Sequence, residues 1–194
     1  PVLPFLSTAD GIDHEDEDFL DSMRLGYTTL HIIPYHDCVL GGTGLVVRPN
    51  APSVAAMTVA APRIQKISLS KQGMGRIMAI HALETAFERM AWELEAKRIK
   101  EKEDREEAEA KGEKYEKPDE KPLPPEKRDL AALVRGEGKA FFYCAGADDL
   151  AYAIRFARRH GFQMVPVVSN KCWRHLELLK RAELPAILAG PVEF

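Results

Sequence analysis

The sequence predicts an α/β fold in which parallel strands alternate with helices, as in a (β/α) barrel of the TIM type. Strand-like runs begin near residues 140, 163 and 185, at an almost constant interval, and a helix-like run separates each pair. Such a repeat calls for parallel strands joined by right-handed crossovers. The chain has 194 residues, whereas a complete barrel takes about 250. We therefore expect residues 1–194 to form one domain, an incomplete barrel, with an open doubly wound sheet as the alternative.

The N-terminal third contains helix-like and strand-like runs whose sequence patterns are less regular. Residues 18–25 predict a helix, and residues 27–33 predict a strand rich in β-branched side chains. Residues 44–47 and 64–69 predict two further strands. Together with the C-terminal strands they make about six, all expected to be parallel.

The C-terminal third is the most regular part of the chain. Residues 140–144 form a short apolar run typical of a buried strand. Either Asp148 or Asp149 is expected to cap the helix that follows. Residues 162–168 and 185–188 predict the next two strands.

The middle of the chain predicts one long helix that leaves the core. A stripe of apolar side chains recurs every three or four residues: Ile80, Leu83, Phe87, Met90 and Leu94. Beyond Leu94 the stripe fades, and acidic and basic residues spaced four apart continue, as in a solvated helix. Prolines then follow up to residue 125. We expect a charged helix and Pro-rich linker over residues 95–125, either a solvated face or a docking site for a partner.

Composition excludes several classes of function. A formal net charge of −3 excludes the broad basic face on which nucleic-acid binding depends. No apolar run approaches the ~18 residues of a membrane span. Three widely spaced cysteines, an odd number, indicate a reducing and therefore cytoplasmic location without a disulfide framework. Because the chain begins at Pro1 and not at methionine, we expect a piece of a longer protein.

Metal-ligating residue types occur near several of the predicted strand ends. His36 lies with Asp37 and Cys38 after the first strand, and Cys144 and Cys172 follow two later strands, with His175 one turn beyond. A zinc site needs three or four converging donors. One hypothesis gathers His36, Cys144, Cys172 and His175 around zinc. The other treats the first group as a polar loop and the two later cysteines as buried apolar thiols.

The run from Gly41 to Gly44 suggests a loop whose backbone amides bind phosphate. It lacks the lysine and hydroxyl residue that follow in such loops, and no helix begins after it. A tight surface turn is the expected structure.

Several short stretches occur in a distinctive order and spacing. They are residues 26–29, the glycine-rich run 41–44, the long helix with its charged extension, residues 128–130, residues 147–149, and Trp173 before residues 185–191. Together they resemble the imidazolonepropionase-like branch of the amidohydrolase superfamily. The resemblance implies a metal-dependent (β/α)₈ hydrolase of amide or cyclic amide C–N bonds. In that family a bound metal, usually zinc, activates a water and polarises the carbonyl under attack.

The resemblance also implies ligand positions, and this sequence fills them with other residues. The family ligands are an early His-x-His pair, sometimes a carboxylated lysine, a histidine after each of two later strands, and a final aspartate. No His-x-His occurs in the chain, and the final aspartate would lie beyond Phe194. The other positions correspond to Arg48 for the lysine, Tyr143 with Ala145 for the first later histidine, and Val168 with Ser169 and Asn170 for the second.

These substitutions predict a domain whose metal site is degenerate, because too few nitrogen donors remain to hold zinc. Little or no hydrolase activity is then expected, and no cofactor unless the protein is active, in which case zinc. An active hydrolase with a non-standard zinc site and an interaction subunit acting through the charged helix are the alternatives. Expected partners are a small molecule at the barrel mouth and either a second copy or a catalytic homologue, with neither nucleic acid nor membrane.

Overall fold

The computed structural model describes residues 2–36, 38–70, 75–112, 114–115 and 122–190. Six helices are α1 Glu17–Arg24, α2 Val54–Met57, α3 Arg76–Ala110, α4 Pro125–Val134, α5 Ala147–His160 and α6 Leu176–Ala182. Two 3-10 segments are Thr8–Gly11 and Asn170–His175. Eight strands are β1 Leu30–Ile32, β2 Leu40–Thr43, β3 Leu45–Val47, β4 Thr58–Ala60, β5 Ile64–Ser68, β6 Lys139–Cys144, β7 Gln163–Val168 and β8 Ile187–Leu188.

The strands form two sheets. A five-stranded sheet has the order β2-β5-β6-β7-β8, in which β5 to β8 are parallel and β2 is antiparallel to β5. A three-stranded antiparallel sheet has the order β1-β3-β4. The mixed α/β fold with a parallel sheet is therefore confirmed, and among the described strands no closed barrel is present.

The prediction that the N-terminal strands are also parallel is confirmed for residues 64–69, because β5 is parallel to β6. It is wrong for residues 27–33 and 44–47, because β1 and β3 pair antiparallel. A parallel pair needs a crossover of about a dozen residues or more, usually a helix. Only Gly44 separates β2 from β3, and β3 reaches β4 through the single turn of α2. The connection from β3 to β4 is thus too short for a helical crossover, and these two strands pair antiparallel, while β2 and β3 lie in different sheets. Only β5 to β8 keep the parallel arrangement that the C-terminal repeat predicts.

The glycine-rich run is not the predicted surface turn, since Gly41 and Gly42 are buried within β2. A Cβ added at Gly42 would lie 1.8 Å from the carbonyl oxygen of Leu6. The N–H of Thr43 donates to that same oxygen over 3.0 Å. Glycine is required here because the N-terminal segment packs directly on the strand, which accounts for the run without any bound anion.

The long helix is confirmed as α3, 35 residues in length. Its buried side chains end at Met90, so the charged remainder lies outside the core as predicted. The predicted cap of α5 is wrong: the N-cap is Gly146, and Asp148 and Asp149 lie in the first turn. None of the helices in the described part of the chain is long and apolar enough to cross a membrane.

Pro166 lies inside β7 without interrupting the parallel sheet. The N–H groups of Gln163 and Ser169 donate toward β6, whereas the carbonyl of Val168 accepts from Ala189 just beyond β8. Along a strand, the backbone groups of successive residues point to opposite sides, so those of Pro166 point away from β6, on the same side as the Val168 carbonyl. Its nitrogen therefore faces the β8 side, where pairing covers only Val167 and Val168, so the missing donor leaves no gap in the ladder.

The two faces of the parallel sheet differ in what covers them. We call one the helix face: it carries Ile67, Phe142, Cys144, Met164 and Val168, which pack in one cluster with apolar side chains of α3, α4 and α5. The opposite, inner face carries Lys66, Ser68, Phe141, Tyr143 and Val167, as the strand register requires. None of these five belongs to that cluster.

Candidate site at the strand ends

The carboxyl ends of β5, β6 and β7 lie along one edge of the sheet, where parallel α/β folds bind ligands. Tyr143 is the last inner-face residue of β6. In the strand register it lies between Ser68 of β5 and Val167 of β7. The structure thus places this sequence-predicted residue at the centre of the edge.

The ring of Tyr143 is covered by an imidazole from the N-terminal part of the chain. His36 stacks on it with ring centroids 3.6 Å apart and an interplanar angle of 22°. The Tyr35 ring lies next to that of His36, with ring centroids 4.7 Å apart. Burial raises the pKa of the Tyr143 phenol above its usual range. At neutral pH the hydroxyl therefore keeps its proton and can donate it in a hydrogen bond.

Lys66 also lies near this edge, and the sequence analysis did not single it out. It lies in the middle of β5 on the inner face and is only 3% exposed. Its Nζ is 5.1 Å from the centroid of the Tyr143 ring, a cation–π distance. Burial lowers its pKa to about 8. A lysine at an inward position of a short buried strand is uncommon, and that position was the available signal.

Val168 and Cys144 lie on the helix face, not beside Tyr143. Val168 is almost fully buried in the apolar cluster, and Cys144 is completely buried there. The residues that share the side of Tyr143 are Val167 and, past the end of β7, Ser169. The Ser169 hydroxyl donates to the carbonyl of Ala145 over 2.8 Å, so the loops after β6 and β7 are joined.

The two cysteines are close to each other but act as core residues. The thiol of Cys172 donates to the carbonyl oxygen of Cys144 over 3.2 Å. Burial raises the pKa of both thiols, most strongly that of Cys144. Since the thiolate is the metal ligand and the nucleophile, protonated buried thiols suit neither role.

The remaining sequence-predicted residues are dispersed. Arg48 is exposed just after β3, on the three-stranded sheet, and is not on the strand that bears Lys66. Asn170 begins the 3-10 segment after β7 and is exposed, while His175 lies at the start of α6. Asp37 lies outside the described residues.

An ion pair between Arg76 and the buried carboxylate of Asp149 fixes the loop after β6. One carboxylate oxygen of Asp149 accepts from Nε of Arg76 over 2.6 Å, and the other accepts from the N–H of Ala145 over 3.2 Å. Arg76 also donates to the carbonyl of Asp148. The first turn of α3 is thereby tied to the first turn of α5, directly behind the strand ends.

The donor set at the strand ends does not fit a zinc ion. In the ranges that the structure describes, no group of three or more His, Cys, Asp or Glu side chains is arranged to hold a metal. The positions nearest the edge offer a phenol stacked on an imidazole, a lysine ammonium and a valine. They supply hydrogen-bond donors and apolar surface and do not form a set of metal ligands.

Comparisons with known proteins identify a similar fold but no family. No protein-family model matches the chain, and no curated protein matches it. A crystal structure of an amidohydrolase from Thermotoga maritima MSB8 is similar, with a TM-score of 0.75 at 19% sequence identity. The match covers 100% of this chain and 50% of the other, so the chain spans half the length of that protein. The chain therefore has an amidohydrolase-like fold.

Proposed function

We propose that the chain is a non-hydrolytic, amidohydrolase-like domain of the imidazolonepropionase-like branch, an incomplete (β/α) barrel that binds a small molecule at its strand ends. Residues 1–194 would form this one domain, with residues 95–125 as an excursion from it. The domain would act alone, as a second copy in an oligomer, or beside a catalytic homologue. The fold similarity supports the first part of the proposal, and the geometry around Tyr143 supports the second.

The stack of His36 on Tyr143 is the observation that carries the proposal. A histidine at the position of Tyr143 would present a nitrogen donor to a metal, whereas a phenol with a raised pKa presents a protonated hydroxyl. The imidazole of His36 is packed face to face on the phenol ring, 3.6 Å between centroids. Both aromatic groups therefore contribute surface to a binding site and do not form a ligand set.

The stoichiometry of zinc tests the loss of the metal site. We expect protein purified without chelators to hold far less than one zinc per chain and to leave amides and cyclic amides unhydrolysed. The variants Cys144→Ala and, as a matched control, Cys38→Ala should not change this result, since Cys144 is a buried thiol and Cys38 lies outside the parallel strands. One tightly bound zinc per chain, lost together with hydrolysis in Cys144→Ala alone, would overturn the proposal in favour of an active hydrolase.

A second candidate function rests on the charged end of α3. The helix continues for 20 residues after Met90, its last buried side chain, and Trp92 on this part is 83% exposed. Nζ of Lys127 in α4 lies 2.6 Å from the Glu93 carboxylate, so the chain leaves the core and returns to it at nearly one place. A segment with this geometry could serve as an arm that contacts another subunit.

Deletion of residues 95–125 tests the arm, because the Glu93–Lys127 contact shows that a short glycine bridge can join the two ends. We expect the shortened protein to fold, with a modest loss of stability because Leu123 and the start of α4 are removed, and to sediment with fewer subunits than the full chain. Equal oligomeric states for both proteins would rule out the arm as a self-association element.

A further inference from the structure

The inner face of the sheet carries a buried cation that no carboxylate in the described part of the chain neutralises. Lys66 is 3% exposed, and no carboxylate among the described residues lies within ion-pair distance of its Nζ. The other buried charges behave differently: Asp129 pairs with Arg63 and Asp149 pairs with Arg76. A buried ammonium without a counter-charge is costly, so its presence indicates a partner from outside the chain.

The groups around Lys66 are suited to a small organic anion. Phe141 lies beside it in the strand register, and Tyr143 lies one position further toward the strand ends. The Tyr143 hydroxyl is a second donor on the same face, and Tyr143 as a residue is only partly buried, so the face opens to solvent near it.

We propose that Lys66 and Tyr143 bind the carboxylate group of a small organic anion on the inner face of the sheet. The ammonium of Lys66 neutralises the carboxylate, and the Tyr143 hydroxyl donates a hydrogen bond to it. The organic part of the ligand packs toward the aromatic stack of Tyr143, His36 and Tyr35. This site deepens the small-molecule binding proposed above and rests on it, since it names the chemistry of the ligand.

Charge balance favours a carboxylate over a phosphate. One ammonium neutralises one negative charge, whereas a phosphate dianion would leave a second charge against Phe141 and Val167, which are both buried and apolar. Ser68 is fully buried, and its oxygen already accepts from the N–H of Ser70 over 3.2 Å. The single ammonium of Lys66 therefore matches the single charge of a carboxylate, and the Tyr143 hydroxyl supplies a further donor.

Titration of the full chain with sodium acetate at constant ionic strength tests the site, with binding measured by calorimetry. We expect saturable binding of one acetate per chain. Lys66→Met, which keeps the length and apolar stem of the side chain, should weaken this binding about 30-fold or more. Lys139→Met is the matched control, because Lys139 is the exposed first residue of the neighbouring strand. It should bind acetate like the wild type.

Tyr143→Phe provides a second, independent variant. It keeps the ring that stacks on His36 and removes only the hydroxyl, so we expect acetate binding about fivefold to tenfold weaker. Acetate binding that is absent from the wild type, or unchanged in both variants, would overturn the proposal. Tighter binding of inorganic phosphate than of acetate would overturn the carboxylate assignment. Zinc content is measured separately, so a metal site would refute the proposed loss of hydrolysis without affecting this result.

Discussion

The helix face and the inner face of the parallel sheet are formed by the same strands but carry different kinds of side chain. On β6, Phe142 is completely buried among helix side chains, while its neighbour Phe141 faces the other way and meets the edge of His31 with ring centroids 5.2 Å apart. The helix face holds a continuous apolar cluster. The inner face holds a lysine, a serine and a tyrosine. The comparison indicates that stability is concentrated on one face, which leaves the other free to carry polar groups that cost stability.

The largest expected effect comes from removing a ring on the helix face. Phe142→Ala should lower the free energy of unfolding by about 3–5 kcal/mol, because it leaves a cavity in the apolar cluster. Phe141→Ala is the matched control on the same strand, and its cost should be at least about 1 kcal/mol smaller, since Phe141 lies outside that cluster. Urea unfolding measures both values. Equal losses for the two variants would show that the inner face is packed as tightly as the helix face.

The next effect has the opposite sign. Lys66→Met should raise the free energy of unfolding at pH 7 by about 3 kcal/mol in buffers without carboxylates, because it removes an unpaired buried charge. The pKa of Lys66 is about 8 in the fold and 10.5 in the reference state. Below pH 8 both states are protonated, and the fold carries the full cost of burying the charge.

Between pH 8 and 10.5 the folded state releases its proton first, so the wild type gains stability as the pH rises. Lys66→Met lacks this gain, and the difference between the two proteins should shrink toward pH 10.5. Unfolding curves recorded at several pH values provide the measurement. A difference that stays constant over this interval would mean that Lys66 is not buried as a cation.

A smaller effect is expected from the ion pair between Arg76 and Asp149, which ties the first turn of α3 to the first turn of α5. Asp149→Asn should cost about 1–2 kcal/mol, since it removes the charge that holds Arg76 and leaves that partly exposed arginine to solvent. Asp148→Asn should be nearly neutral, because the Asp148 side chain is exposed and only its carbonyl accepts from Arg76. If urea unfolding showed the same loss of stability for both variants, the Arg76–Asp149 ion pair would have no specific role.

Elements with strong local periodicity could be predicted from the sequence. The apolar stripe of α3 and the runs that form β6, α5 and β7 are each recognisable within a short window, because their residues face one core. The direction of the N-terminal strands could not be predicted in the same way. Alternation within a strand does not encode its partner, and only the short connection between β3 and β4 is incompatible with a parallel crossover.

The candidate site was predictable only in part for a related reason. The position of Tyr143 at a strand end follows from the local run of residues 139–144. The contact of Tyr143 with His36 joins residues more than 100 positions apart, and no local pattern contains it. Lys66 could not be assigned to the inner face from the sequence, because the register of β5 against β6 decides which of its residues face inward.

Anomalous diffraction at the zinc absorption edge tests the central claim most directly, using crystals grown in the presence of zinc. The account predicts that no anomalous peak lies within coordinating distance, about 2 Å, of the Tyr143 hydroxyl or the His36 ring. Ordinary density should instead show the two rings stacked, with the Lys66 side chain beside them. A strong peak between Tyr143, His36 and the end of β7 would contradict the account and restore a metal site to this edge of the sheet.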